Sequence, residues 1–506
     1  MMDRSAIMKA INSLEQKYPV SDWAVNDINI WPLVRVKLIA SLYGKGTSTN
    51  AVKVKPISRP LFLQKSFLKL KSIYNFVVGW REYILLKRIF NHGIDLVFLS
   101  YVAHRQKIDG LYYNRFCDLF LDEAQIHQHK PLLLEYKGNI TNYKLPRSSE
   151  THVFSADNAT NYYKKIARRK KKVFQIRLKN YNKFLQDVSL LFGEAPSKAV
   201  SPDLIVRNAK ELDLTADFFT SLYKGTKPKA IFCVSYYSSQ AQGLILSAYR
   251  NNIKSIDIQH GIQGKLHEAY GMWTNIPDHG FNSLPQYFWN WTIKGAAVIK
   301  DWASNTKFHK SIVGGNPWLI FWEKNFAYKS ISEHHDLANL ISGKKVILYT
   351  LQPSFEPFPE FVRKVIEKTK GEFVWLIRMH PRQLANIESI ESQVSELGIG
   401  EHIEIQLSTS TPLPILLSIS DLHLTVYSTV AIESATFNIP TLFIGTLGRA
   451  YFSDQLPSEL TFYDIEDETK LLSNIEAASG RKGHCQLNTE KASSTLSGIF
   501  KSLVDA

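Results

Sequence analysis

Two short stretches in the last third of the chain have the residue types and spacing to bind an anion. Trp375-Leu376-Ile377-Arg378-Met379-His380-Pro381 is answered by Val426-Tyr427-Ser428-Thr429 and then Glu433. In each, an apolar run too short for a helix gives way to polar residues, which reads as a strand over 373–377 and another over 422–426. Ser428-Thr429 precedes a helical pattern of Ala431, Ile432, Ala435 and Phe437, an N-cap signal. Main-chain N–H groups and the positive helix end would point beyond the strands. Arg378 and His380 add cationic or donor groups there, and Pro381 turns the chain. The expected chemistry is a phosphate cradle at the carboxyl edge of a parallel sheet. Either piece alone is an ordinary polar turn or cap; the two at strand ends of one α/β pattern are more specific.

Further residues fall on the same kind of edge. Gln352 and Ser354 follow the first strand of the second half, 345–350. Glu433, one turn into its helix, could accept hydrogen bonds from a ribose or base, or serve only as a favourable charge near a helix start. In the first half Gln259-His260-Gly261 closes a strand at 254–258. A histidine there could deprotonate a hydroxyl or bind a carboxylate, the plain alternative being a core histidine capping a strand. Glu268 and Asp278 lie just downstream as rival bases. With Gln259, His260 and Glu268 form the catalytic candidates.

The elements that must position these residues alternate. Strands at 95–100, 130–136, 230–234, 254–258, 285–291 and 311–313 fit a first α/β domain, and strand 230–234, helix 240–250 and strand 254–258 make a βαβ unit. Tyr112-Tyr113-Asn114-Arg115 reads as a loop or helix start. The second domain reads strand 345–350, helix 358–370, strand 373–377, helix 387–397, strand 402–407, helix 413–419, strand 422–426, helix 430–437 and strand 440–444, a doubly wound sheet. The tail, 455–506, reads as mostly helical. The expected division is a helical preface over 1–93, a Rossmann-like acceptor domain over 94–315, and a Rossmann-like nucleotide-sugar domain with a helical tail over 316–506.

Composition narrows the function. A chain of 506 residues, 44% hydrophobic and 21% charged, is globular and too long for one ordinary core. Three distant cysteines, Cys117, Cys233 and Cys485, argue against a disulfide framework or a Cys-rich zinc site and fit a reducing compartment. No signal-peptide pattern and no run of 18 apolar residues is visible, so a cytoplasmic place is expected. The net charge of +15 is uneven: residues 1–300 carry 43 Lys/Arg against 22 Asp/Glu, and the rest is net acidic. The basic half suits an anionic membrane surface, a charged glycan or nucleic acid, but no RNA-recognition signature, helix-turn-helix pattern or zinc spacing supports the last. Residues 164–183 hold ten lysines and arginines, a solvated face or an anion-facing one. Residues 61–90 interleave aromatic, aliphatic and basic side chains, either a membrane-interface segment or the solvated face of an ordinary helix pair. After a loop at 46–60, that segment could attach the chain peripherally to the inner face of the plasma membrane.

Two Rossmann-like halves with a cleft between them are the GT-B architecture. Gln259-His260-Gly261, Gly315-Asn316-Pro317 at the domain crossover, His380-Pro381, and Ser428-Thr429 with Glu433 resemble the motifs of bacterial cell-surface polysaccharide glycosyltransferases. These include the capsule and O-antigen Kdo transferases and the sialyl- and polysialyltransferases. Trp31-Pro32 with Arg35 resembles the preface of some such enzymes. The resemblance covers about residues 95–450, and GT-B enzymes in general share several of these motifs. It implies an α/β GT-B enzyme that takes a nucleotide-sugar co-substrate, most simply a CMP-activated 2-keto acid sugar, and an anionic lipid-linked or glycan acceptor. In the sialyltransferase-like members the His-Pro and Ser/Thr motifs hold the CMP phosphate. Arg378, His380, Ser428, Thr429 and a helix start would meet the leaving group's charge without a metal, and no Asp-x-Asp stands at a strand end. A CDP-glycerol-type polyol-phosphate transferase or a UDP- or GDP-hexose transferase are the alternatives.

Overall fold

The computed structural model describes residues 4–43, 61–137, 147, 153–169, 172–223, 225–326, 331–353, 355–400, 403–479 and 489–505. The expected loop at 46–60, part of the basic run and Ser354 lie outside the described residues. The chain divides into two compact units: Met1–His260, Glu268–Trp318 and Ser494–Ala506 form the first, and Gly261–His267 with Leu319–Ser493 the second.

The apolar runs of the first unit become parallel strands. They are β1 (Leu96–Tyr101), β2 (Pro131–Tyr136), β3 (Val153–Ser155), β4 (Ala230–Val234), β5 (Lys254–Ile258), β6 (Tyr287–Asn290) and β7 (Lys310–Val313), in the sheet order β7-β6-β5-β4-β1-β2-β3. Leu96 pairs with Ala230 on one side and Pro131 on the other, and every neighbouring pair is parallel. Phe98 and Phe232 stack at 4.7 Å across β1 and β4. β4, the helix Ser239–Arg250 and β5 form the expected βαβ unit.

The second unit holds β8 (Lys345–Thr350), β9 (Phe373–Arg378), β10 (Ile403–Glu404), β11 (Leu422–Thr425), β12 (Thr441–Ile444) and β13 (Thr461–Ile465), all parallel, in the order β10-β9-β8-β11-β12-β13. Alternate residues bury opposite faces: Ile347, Tyr349, Trp375 and Ile377 on one, Val346, Leu348, Val374 and Leu376 on the other. Burial on both faces explains the unbroken apolar runs in the sequence. Both sheets reverse direction in the Rossmann manner, at β1/β4 and at β8/β11. The fold is α/β with two Rossmann-like units, the GT-B class.

Several local readings need correction. The expected strand 402–407 is only Ile403–Glu404 and then turns into a short helix, Gln406–Ser410, held by the Ser408 hydroxyl on the carbonyls of Ile377 and Glu404 at 2.6 and 2.7 Å. The tail is mostly helical as read, but Thr461-Phe462-Tyr463, β-branched and aromatic, adds the unread strand β13 to the sheet edge. Tyr112–Asn114 belong to a hairpin, Arg105–Ile108 with Leu111–Asn114, and not to a loop or helix start. The final helix, Thr489–Asp505, lies from Ser494 onward in the first unit, although the sequence reading put the whole tail with the second domain. Phe500 explains this, with Phe120 at 6.0 Å and Phe232 at 5.8 Å.

The preface is part of the first unit and not purely helical. Between the helices Arg4–Lys17 and Trp31–Tyr43, Ala24–Val25 pairs with Ile28–Asn29 and with Ile176–Arg177. Glu15 is its buried hub, accepting from the Trp31 indole at 2.7 Å and from the Thr274 amide at 2.9 Å, with the Arg35 guanidinium at 3.4 Å. Arg35 also donates to the Gly271 carbonyl at 2.6 Å and lies over the Trp273 ring. Trp31-Pro32 and Arg35 thus tie the preface to the loop that follows His260.

Candidate functional site

In the first unit the side chains converge outside the carboxyl ends of β1, β4 and β5, at the sheet's reversal. The chain leaves β4 through Ser235, whose φ of +61° is unusual for a residue with a side chain. This left-handed turn is followed by Ser238, which caps the helix Ser239–Arg250 by accepting from the Ala241 amide. Between them stands Tyr237, whose hydroxyl lies 3.2 Å from Nε2 of His260 beyond β5. Past β1, Nδ1 of His104 lies 2.9 Å from the Ser100 hydroxyl. The Phe116 ring sits edge-on to both histidines, 4.9 Å from His104 and 6.4 Å from His260. Glu268 is ion-paired with Arg4 of the preface.

Burial sets the protonation of this group. It pushes the Tyr237 phenol well up, with the negative charge of Glu268 adding to the effect, so the phenol is neutral. Tyr101, at the end of β1, is pushed up to about 12 by burial. His104 is held well below its usual range by burial first, then by the charges of His260 and Arg115. Beneath them, burial raises Asp257 to about 7, although it accepts from the Tyr270 hydroxyl at 2.8 Å and the Tyr236 amide at 3.0 Å.

The three expected residues of this half are placed differently. His260 is half-buried among Tyr237 and Phe116. Gln259 is buried, and its side-chain oxygen accepts from the Trp291 amide at 2.6 Å, which spends it on joining β5 to β6. Glu268 is held by Arg4, a residue that nothing in the sequence pattern singles out. Tyr237 and His104 were not among the expected residues. Both follow buried strands that the sequence reveals, so the strand-end rule that found His260 would have found them too.

In the second unit three adjacent strands, β9, β8 and β11, end in His380, Gln352 and Ser428-Thr429. His380 opens the 3-10 turn Pro381–Asn386: its Nδ1 accepts from the Arg382 amide at 3.1 Å, and its own amide donates to the Gln383 side chain at 3.3 Å. A neutral ring so held carries its proton on Nε2. Burial, and then Arg382, lower its basicity, which favours that neutral form. Ser428 is buried; its amide donates to the Thr425 hydroxyl at 3.2 Å, and its hydroxyl accepts from the Val430 amide at 3.3 Å. Glu433 and Gln352 are buried to a similar degree. Pro381 is exposed at the start of its turn.

Two expectations change here. Arg378 donates from Nη1 to the carbonyls of Ser408 and Thr411, both at 2.7 Å, and so holds the Gln406–Ser410 turn in place. The helix read at 430–437 spans Val430–Thr436, and its N-cap residue, Thr429, makes no side-chain cap hydrogen bond. Gly261–His267 joins this unit. A Cβ on Gly261 would stand 3.3 Å from the Thr429 methyl, and the Lys265 amide donates to Asp454 at 3.0 Å. Among the described residues no group of three or more His, Cys, Asp or Glu is disposed to hold a metal ion.

Two Rossmann-like units, each with polar residues gathered where its sheet reverses, define a protein of the GT-B fold class. No protein-family model matches the chain, and no curated protein matches it significantly in sequence. Among solved structures it is similar to the wall teichoic acid polymerase TagF, with 13% identity over 88% of this chain and 98% of that one and a TM-score of 0.47. It is also similar to the UDP-N-acetylglucosamine 2-epimerases of Rickettsia bellii, with 15% identity over 81% and 96% of the chains and a TM-score of 0.47, and of Methanocaldococcus jannaschii, with 12% identity over 81% and 99% and a TM-score of 0.46.

Proposed function

We propose that the chain is a GT-B glycosyltransferase that moves a sugar from a nucleotide-activated donor, a 2-keto acid sugar carried by CMP, onto a lipid-linked or polysaccharide acceptor in surface-glycan synthesis. The observation that carries the reading is that each sheet gathers polar residues at its reversal. Tyr237 and His260 meet there in the first unit, and the strand ends bearing Gln352, His380 and Ser428 are adjacent in the second. Ligands of open α/β sheets bind at such points.

In this reading the Tyr237 hydroxyl takes the proton of the acceptor hydroxyl and passes its own to His260 Nε2 as the acceptor oxygen bonds to the anomeric carbon. The bond from that carbon to the donor phosphate breaks, and CMP leaves with the electron pair. The Nε2–H of His380 and the hydroxyls of Ser428 and Thr429 meet the charge that gathers on the phosphate. Glu433 and Gln352 take the ribose or base. Arg378 acts at one remove by fixing the turn beside the cradle. A metal ion has no part in the scheme, and the acceptor's negative charge is matched by the basic first 300 residues.

Thermal-shift titration with CMP, CDP, UDP and GDP tests the donor site. CMP should stabilise the protein most, and His380→Ala and Ser428→Ala should each weaken that stabilisation while keeping the fold. Unchanged nucleotide affinity in both variants would remove the cradle, and a preference for CDP, UDP or GDP would replace the CMP-sugar.

A further inference from the structure

The helix Leu61–Asn91 runs unbroken for 31 residues and is described in side-chain detail from Lys71 onward. One face is built into the first unit. Gly79, Leu86 and Phe90 are buried, and Tyr83, in step with them, lies against Tyr162, Tyr163 and Phe218. The neighbouring helix Asp157–Ala167 comes so close at Gly79 that a Cβ there would stand 2.4 Å from the Asn158 carbonyl oxygen. The opposite face is apolar and is not covered by the described residues. Ile73, Tyr74, Val77, Trp80 and Leu85 are each between 44% and 68% exposed, and 73, 77 and 80 follow helical spacing.

The charges on this face have one sign. Lys71, Arg81 and Arg88 are exposed among the apolar residues. The only acid of the helix, Glu82, is turned inward, accepting from the Asn158 side chain at 2.9 Å and the Ala159 amide at 3.2 Å. The neighbouring helix adds exposed Lys165 beside it, whose ammonium lies 5.2 Å above the Phe76 ring, and exposed Arg169 follows. No described helix is long and apolar enough to cross a membrane. An apolar stripe carrying Trp and Tyr, interleaved with arginines and free of outward acids, matches the boundary between acyl chains and anionic headgroups.

We propose that the face of Leu61–Asn91 bearing Ile73, Tyr74, Val77, Trp80 and Leu85 is a docking surface for an anionic lipid bilayer, on which the helix lies without spanning it. The apolar side chains enter the headgroup region while Arg81, Arg88 and Lys71 pair with lipid phosphates. This stands apart from glycosyl transfer: the surface would hold whether or not the chain uses a nucleotide sugar.

The full chain is sedimented with vesicles of phosphatidylcholine alone and of equal parts phosphatidylcholine and phosphatidylglycerol. Binding should favour the anionic vesicles and weaken as salt is added. The combined variant Ile73→Ser, Val77→Ser, Trp80→Ser and Leu85→Ser should keep its circular dichroism and lose about 100-fold or more in vesicle binding, as several apolar side chains no longer leave water. The pair Arg81→Gln and Arg88→Gln should lose about fivefold per arginine on anionic vesicles only. Vesicle binding by the four-serine variant equal to that of the unaltered chain would overturn the proposal. So would a dimer of the unaltered chain in solution that the same variant abolishes, with binding to vesicles unchanged, since the face would then belong to a second copy. Transfer to a soluble acceptor should be untouched in the four-serine variant, which separates failure of this surface from failure of the catalytic reading.

Discussion

Tyr237 and His260 are joined by a hydrogen bond, and in the proposed transfer the neutral phenol is its donor. A phenol donating to Nε2 favours the neutral imidazole, the form that can act as a base. His260→Ala should therefore lower turnover by about 10²–10⁴-fold and leave nucleotide affinity near that of the unaltered chain. Tyr237→Phe should cost less, about tenfold, and move the acid limb of the pH–rate profile to higher pH, because the neutral imidazole loses a stabilising donor of about 1 kcal/mol. Near-normal turnover in the alanine variant would pass the role to Glu268 or Asp278. His423 shows the opposite use of a histidine. It is buried in β11 between the hydroxyls of Thr350 at 2.9 Å and Thr441 at 3.1 Å, and burial lowers it to about 3. The unfolded chain, with an ordinary histidine near 6.5, binds a proton below that pH that the folded chain refuses, so stability falls as pH drops from 6.5 toward 3. Between pH 6.5 and 5 the loss is about 2 kcal/mol. Urea unfolding of the unaltered chain should weaken over that interval by this amount more than unfolding of His423→Gln. A parallel decline of the two would mean that the folded protein already protonates His423.

At the scale of elements, the preface stands or falls with Glu15. Its carboxylate is fully buried, raised by desolvation and lowered again by Arg35, and both partners are shut off from water. Glu15→Gln leaves the guanidinium of Arg35 without its counter-charge and should destabilise the protein by about 3–5 kcal/mol in denaturant unfolding. A loss below about 1 kcal/mol would show that the Gly271 carbonyl and the Trp273 ring suffice for Arg35. The helix Arg4–Lys17 also carries Arg4 to Glu268, so the variant should disturb Glu268 from a distance. What the sequence reveals of such elements follows from how local each signal is. β4 and β5 agree with the residues read from the sequence, 230–234 and 254–258, because burial on both faces leaves an unbroken apolar run. Val153–Ser155 and Thr461–Ile465 escaped, since edge strands carry little of that signal and take their place from the neighbour they pair with. For the site, strand-end position pointed to His260, His380 and Ser428. It could not tell that Arg378 turns to the carbonyls of Ser408 and Thr411, or that Gln259 turns to the Trp291 amide, because side-chain direction depends on residues distant in sequence.

For the molecule as a whole, the ends of the chain belong together in the first unit. From Ser494 the last helix returns there, with Leu496, Phe500, Leu503 and Val504 buried. Phe500 lies among Phe120, Phe232 and His127, the His127 ring reaches the Ser497 hydroxyl at 3.1 Å, and Lys254 donates to the Leu503 carbonyl at 2.9 Å. β4 and β5 carry two of these partners, Phe232 and Lys254, so the last helix braces the strands that lead to Tyr237 and His260. The second unit has its own core, built around Trp375 and Leu348. Phe500→Ala should therefore act on one unit. It removes a fully buried ring and should cost about 3–5 kcal/mol. Hydrogen exchange should speed up in β1, β4 and β5 while β8, β9 and β11 keep their protection. Faster exchange confined to the second unit would place the last helix there, as the sequence alone suggested. Equal acceleration in both would mean that the two units unfold as one.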